Sequence, residues 1–218
     1  MIGFSGLEAA AIVAFHDDRV RDPAWPARAP EQAGGIWAAI EANHRSNVLL
    51  WDAEDQARRT DVTDATIAAV KRAIDRHNQR RNDAVEAIDE ALLARLAGVA
   101  PRADAWHHSE TAGAMIDRLS ILSLKVHHMG LAAARPGAGA PDRAERLSRV
   151  ATLARQRDDL ARCYDTLLAR AATGEAFWRI YRQHKMYNDP ALNPYLSRET
   201  IGRVAPSNGP NPAATADG

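Results

Sequence analysis

The chain has 218 residues, with 28 Lys plus Arg balanced by 28 Asp plus Glu, a formal net charge of zero and 46% hydrophobic residues. That mix suits a folded domain with a sizeable core. Neutral charge argues against a general binder of nucleic acid or anionic membrane, because such binding draws on a basic excess. No apolar run approaches the ~18 residues that a membrane span needs. The first residues do not read as a secretory signal, since Glu8 interrupts them and no basic stretch precedes them. Cys163 is the sole cysteine, which excludes an intrachain disulfide and suggests a reducing, cytoplasmic setting.

Ala, Leu, Arg, Glu and Asp dominate, while β-branched and aromatic residues are sparse, so the composition predicts helix. No stretch alternates with period two for long enough to predict a strand. The expected fold is all-α: a bundle of long antiparallel helices with a short C-terminal helix and a disordered tail. A first helix is expected over Leu7–Asp18, followed by a loop punctuated by Pro23, Pro26 and Pro30. A second spans Glu31–Arg59. Asp61 or Thr63 caps a third, which runs to about Leu96 and stops at Gly98. Ser109 or Thr111 caps a fourth, ending near Ala133. The run Arg135–Pro141 connects to a fifth over Asp142–Ala172, closed by Gly174, and a sixth covers Glu175–Tyr187. Residues 1–204 are expected to form one helical domain, and 205–218 a tail rich in Pro, Gly, Asn and Ala.

Placing polar residues on each helical wheel locates a candidate site. On the second helix Ile36, Ile40, Asn47, Trp51, Glu54 and Arg58 share an arc of about 60°, so Asn47, Glu54 and Arg58 are expected to face inward. On the third, Lys71, Asp75, Asn78, Asn82, Glu86 and Asp89 form a polar line beside the apolar stripe. Asn is a weak helix former, so two of them one turn apart need another explanation. On the fourth, Glu110, Asp117 and His128 share a face with Ile121 and Leu124, with Arg118 and Lys125 alongside. Buried charge is costly unless paired or bound. The alternatives are border residues whose side chains reach back to water, or a salt-bridge network that fixes helix register.

Other motifs are weaker. Asp52-Ala-Glu54-Asp55 and Glu86-Ala-Ile-Asp89 place acid pairs three apart on two helices, which could hold Mg²⁺. This loosely resembles the all-helical nucleotide pyrophosphohydrolases, with Glu54, Asp55, Glu86 and Asp89 as ligands. His107-His108 and His127-His128 are adjacent pairs whose side chains diverge by about 100° on a helix, so zinc or iron binding is not expected. Cys163 reads as a small core residue. The segment Phe177–Pro190 concentrates aromatic and basic residues, and Arg182 and Lys185 on one face of a helix could clamp an anion.

Four strings, LLWDAEDQAR from Leu49, AIDRHNQRRND from Ala73, ETAG from Glu110 with IDRLSIL from Ile116, and KMYNDP from Lys185, together resemble the bacterial DUF4254 family, a domain of unknown function. The resemblance spans about Asn43–Leu196. It implies an all-helical fold and a context of surface-glycan assembly, hence a sugar or sugar-phosphate; it supplies no catalytic residues.

The expected function is recognition of a small polar or anionic metabolite between the second, third and fourth helices, by an enzyme or accessory factor acting on an activated sugar or similar precursor. Glu54 or Asp117 would be general acid or base. Arg58, Arg81 and Lys185 would hold the anion. Asn47, Asn78 and Asn82 would orient hydroxyl or carbonyl groups, with Asp75, Glu110, Asn188 and Asp189 completing the ligand-binding set. The alternatives are the Mg²⁺-dependent pyrophosphohydrolase and an oligomerising scaffold for a biosynthetic partner.

Overall fold

The computed structural model describes residues 3–136, 139–182 and 191–192. The chain divides into two compact units, residues 1–180 and 181–218. The helices among the described residues lie in the first: α1 (Ala9–Val20), α2 (Gly35–Gln56), α3 (Asp64–Arg95), α4 (Ala112–Ala134) and α5 (Ala140–Ala172). Short connections make α2 with α3, and α4 with α5, antiparallel hairpins. The four long helices pack with α1 around a core that includes Leu7, Ile12, Ile40, Ile88, Leu92, Met115, Ile116 and Leu167, each at most 1% exposed. Among the described residues no helix is long and apolar enough to cross a membrane.

Local chemistry sets the helix ends. The Thr63 hydroxyl accepts from the Thr66 N–H at 3.2 Å and the Thr111 hydroxyl from the Ala114 N–H at 3.1 Å, two N-caps of the expected kind. α1 has no such residue of its own. Its first N–H, from Ala9, donates to Asp165 Oδ1 on α5 at 2.8 Å, and the neighbouring Tyr164 hydroxyl donates to the Leu7 carbonyl at 3.1 Å. The N-terminus of α1 is thus capped across 156 residues of sequence.

The structure corrects three expectations. α2 begins at Gly35 instead of Glu31. The N–H groups of Glu31 and Gln32 donate instead to the buried Glu41 carboxylate, at 3.0 to 3.1 Å. Arg45 pairs with that carboxylate at 2.6 Å and donates to the carbonyls of Trp25, Pro26 and Arg28, so one ion pair pins the whole proline-rich loop. The sixth helix is absent from Glu175 to Arg182. Ala176–Phe177 (β2) pairs in parallel with Trp106–His107 (β1), a two-residue bridge too short to leave a period-two signature in the sequence. Cys163 is exposed, because Leu160, Tyr164, Leu167 and Leu168 take the inward stripe of α5. The rest of the expected sixth helix and the tail at 205–218 lie outside the described residues.

Candidate functional site

α2 and α4 meet through amides and a carboxylate. Asp117 Oδ1 accepts from Asn43 Nδ2 at 2.8 Å and from Asn47 Nδ2 at 2.9 Å. Asn47 Nδ2 also lies 3.0 Å from Ser120 Oγ, which is 2.8 Å from His44 Nδ1. Arg81 Nε approaches Asp117 Oδ1 to 3.7 Å from α3. Asn43, His44 and Ser120 are fully buried, Asn47 is 4% exposed and Asp117 9%. A buried carboxylate is tolerable on these terms, because its charge is met by two amide donors and a guanidinium.

Behind the network sits a second histidine. The His16 ring stacks on His44 with centroids 4.5 Å apart, and neither His16 ring nitrogen has a hydrogen-bond partner. Burial holds the His16 pKa well below the ordinary value, with His44 and Arg157 reinforcing it. Burial likewise pushes His44 down to about 3; the main chain of His16 partly opposes this, while Arg19 and Arg45 add to it. Both imidazoles are therefore neutral at pH 7.

In front of the network lies a cavity of about 410 Å³ between α2, α3 and α4. Asn47 and Arg81 reach it from the buried side, Leu50, Ile121 and Leu124 form its apolar wall, and Trp51, Glu54, Asp55 and Arg58 also line it. Trp51 lies flat against His128, with ring centroids 4.4 Å apart and 5° between planes. Burial lowers the His128 pKa, as does His127, against the opposing influence of Asp52 and Asp55, so the stack is between neutral rings at pH 7. Arg58 is held 3.5 Å from Glu54 and 3.6 Å from Asp55.

The structure thus brings Asn47, Arg81 and Asp117 together and sets Glu54, Asp55 and Arg58 at the cavity mouth. The inward orientation expected for Glu54 and Arg58 is corrected: their side chains are 48% and 68% exposed. Asp117 does not line the cavity; it holds Asn47 and Arg81, which do. Asn78 and Asn82 are half-buried and do not line this cavity. Asp75 is an exposed partner of Lys71 at 2.7 Å on the same helix, outside the site. Glu110 pairs with Arg118 at 2.8 Å and lines a different cavity. Lys185, Asn188 and Asp189 lie outside the described residues.

The four-carboxylate Mg²⁺ grouping does not form. Among the described residues no three His, Cys, Asp or Glu side chains come within metal-holding reach of one another. Asp89 is instead buried against the start of α4, where its Oδ1 accepts from the Gly113 N–H at 2.7 Å. A Cβ on Gly113 would stand 2.6 Å from the Val85 carbonyl oxygen and 2.8 Å from Asp89 Oδ2, so glycine is what lets α4 approach α3 this closely.

Sequence reasoning missed Asn43, His44, Ser120 and His16 as members of the network. At 100° per residue His44 lies just outside the arc that holds Asn47 and Trp51, and serine carries no signal of burial by itself. The Asn43-x-x-x-Asn47 spacing could have been noticed, since residues four apart on a helix project to one side.

Neither the curated proteins nor the solved structures offer a match to this chain. The DUF4254 family, described as a protein of unknown function, matches residues 37–180. That span holds all but the first two residues of α2, the whole of α3 to α5, the network of Asn43, Asn47, Arg81, Asp117 and Ser120, and every residue of the cavity in front of it. On that match the chain belongs to the DUF4254 family.

Proposed function

We propose that the chain binds a small polar, anion-bearing metabolite in the cavity between α2, α3 and α4, and that an activated sugar or similar biosynthetic precursor is the class it takes. The observation that carries this reading is the double position of Asn47 and Arg81: both touch the buried Asp117 carboxylate and both line the cavity. Side chains fixed from behind lose little freedom on binding, which favours a ligand that needs oriented hydrogen bonds. The other lining groups fit the same class. Trp51 supplies a flat apolar surface braced by His128, suited to the C–H face of a sugar ring. Arg58 and Arg81 suit a phosphate or carboxylate. Glu54 and Asp55 beside them disfavour a dense polyanion and suit hydroxyl groups.

In an enzymatic version Glu54 is the general acid or base, as the less exposed of the two carboxylates that line the same cavity as Asn47 and Arg81. Asp117 is then a positioning residue acting through those two. Calorimetry with glucose 1-phosphate and with a nucleoside diphosphate hexose tests the reading. Saturable binding, weakened about tenfold or more by Asn47→Ala or Arg81→Met, is expected, since hydrogen bonds to charged groups are worth about 1.5–3 kcal/mol. Absence of binding by both ligands, or equal affinity in both variants, overturns it.

A second reading is a non-catalytic scaffold for a biosynthetic partner or a second copy, favoured by the depth of the Asn43–Asp117–Ser120 cluster, which would fix helix register without any ligand. It predicts a stable oligomer or partner complex by light scattering and no small-molecule binding.

A further inference from the structure

A second cleft, of about 710 Å³, lies on the other side of α4, between α4 and α5; Ile121 borders both it and the first cavity. Its floor is apolar: Met115 and Leu160 are at most 7% exposed, and Leu122 lies beside them. Met115, Arg118, Leu122 and Lys125 follow one stripe of α4, at spacings of three and four. The stripe from Met115 to Lys125 is about 15 Å long at ~1.5 Å per residue. The cleft is therefore an elongated trough, lined also by His108 and Glu110 from the segment that precedes α4.

Its charges are unevenly compensated. Arg118 donates to both carboxylate oxygens of Glu110, at 2.8 and 2.9 Å. Asp159 on the opposite wall is paired with Arg162. Lys125, exposed at the far end, has no acidic partner among the described residues. The antiparallel hairpin sets Gln156 at that same end and Cys163 toward the other.

We infer that this trough binds a single-chain amphiphile with a monoanionic head, its carboxylate at Lys125 and Gln156 and the alkyl chain along Met115, Leu122 and Leu160 toward Cys163. The inference is independent of the proposed metabolite site. An apolar floor of this length with one uncompensated cation at its end matches such a molecule: burying the chain supplies affinity, and the ammonium sets its direction. A polyanion would meet Glu110 and Asp159, and a neutral lipid would leave Lys125 without a counter-charge.

Cys163 reports on occupancy, because it is the sole thiol in the chain and is exposed in the trough. The test measures the rate at which a water-soluble disulfide reagent modifies Cys163 in the intact protein, with and without dodecanoate below its micelle-forming concentration. Saturable protection is expected, with the half-protecting concentration raised about tenfold in Lys125→Glu. Lys125 is exposed, so that variant folds normally, which circular dichroism verifies. Failure to protect overturns the inference, as does equal protection in Lys125→Glu, equal protection by a dodecyl trimethylammonium ion, or protection appearing only with micelles.

Discussion

Asn47 Nδ2 donates to Asp117 Oδ1 at 2.9 Å, joining residues 70 apart in sequence and two different helices. The same amide nitrogen lies 3.0 Å from Ser120 Oγ, one turn along α4, so the side chain of Asn47 bridges two positions of that helix. With Asn43 also donating to Asp117, the relative height of α2 and α4 is fixed by directional bonds as well as by apolar contact.

Removing the Asp117 carboxylate separates a structural from a functional role. Asp117→Ala leaves two buried amides and Arg81 without their acceptor, and urea denaturation is expected to show a loss of about 3–5 kcal/mol. Asp117→Asn retains an acceptor oxygen and is expected to cost about 1–2 kcal/mol. If ligand affinity falls in Asp117→Asn while the fold persists, the carboxylate positions the site as proposed.

The buried histidine pair makes the protein acid-labile. Folded His44 has its pKa pushed down to about 3, and His16 is also held low, whereas both regain ordinary values near 6.5 on unfolding. Below about pH 6.5 the unfolded chain takes up protons that the folded chain refuses. Stability is therefore full above that pH and falls as pH drops, by up to about 1.4 kcal/mol per pH unit for each imidazole. Thermal melts from pH 7.5 to 4.5 check this, and His16→Phe is expected to flatten the fall.

Asp89 pulls in the opposite direction. Burial raises its pKa to about 6, with Thr111, the Gly113 N–H and Trp178 moderating the shift and Glu86 adding to it. Between about pH 4 and 6 the folded state holds a proton that the unfolded state has lost, so this group's contribution declines as pH rises through that window. Asp89→Asn keeps the acceptor for the Gly113 N–H and abolishes the charge. Relative to the parent it is expected to gain about 1–1.5 kcal/mol between pH 5 and pH 7.5, measured by urea denaturation at both values.

Gly113→Ala tests the close crossing of α3 and α4. Alanine is the better helix former by about 1 kcal/mol. Its methyl group would nonetheless meet the Val85 carbonyl oxygen at 2.6 Å, and a main-chain atom inside a helix cannot swing aside. A net loss of about 1–3 kcal/mol is expected in equilibrium unfolding.

The wheels were right about angle and silent about cover. Asn47 and Glu54 share one arc of α2, yet Asn47 is buried under α4 while Glu54, in the last turn, is about half exposed; Arg58, expected on the same arc, lies beyond the end of the helix and is largely in solvent. Asp75 shares the polar line of α3 with Asp89. One is an exposed partner of Lys71, whereas the other is sealed beneath the first turn of α4.

The sequence by itself determined the first five helices to within a few residues: the caps at Thr63 and Thr111, the stop at Gly174 and the inward turn of Asn47 and Asp117 are local or periodic properties, settled by torsional preference and by the 3.6-residue repeat. Only the tertiary structure decided which length of each polar stripe is covered, that His16 lies against His44, that Asp165 caps α1 and that Cys163 opens into a trough. Those outcomes depend on where one helix lies along another. That offset is set by the summed packing of residues far apart in sequence, and no window along a single helix contains it.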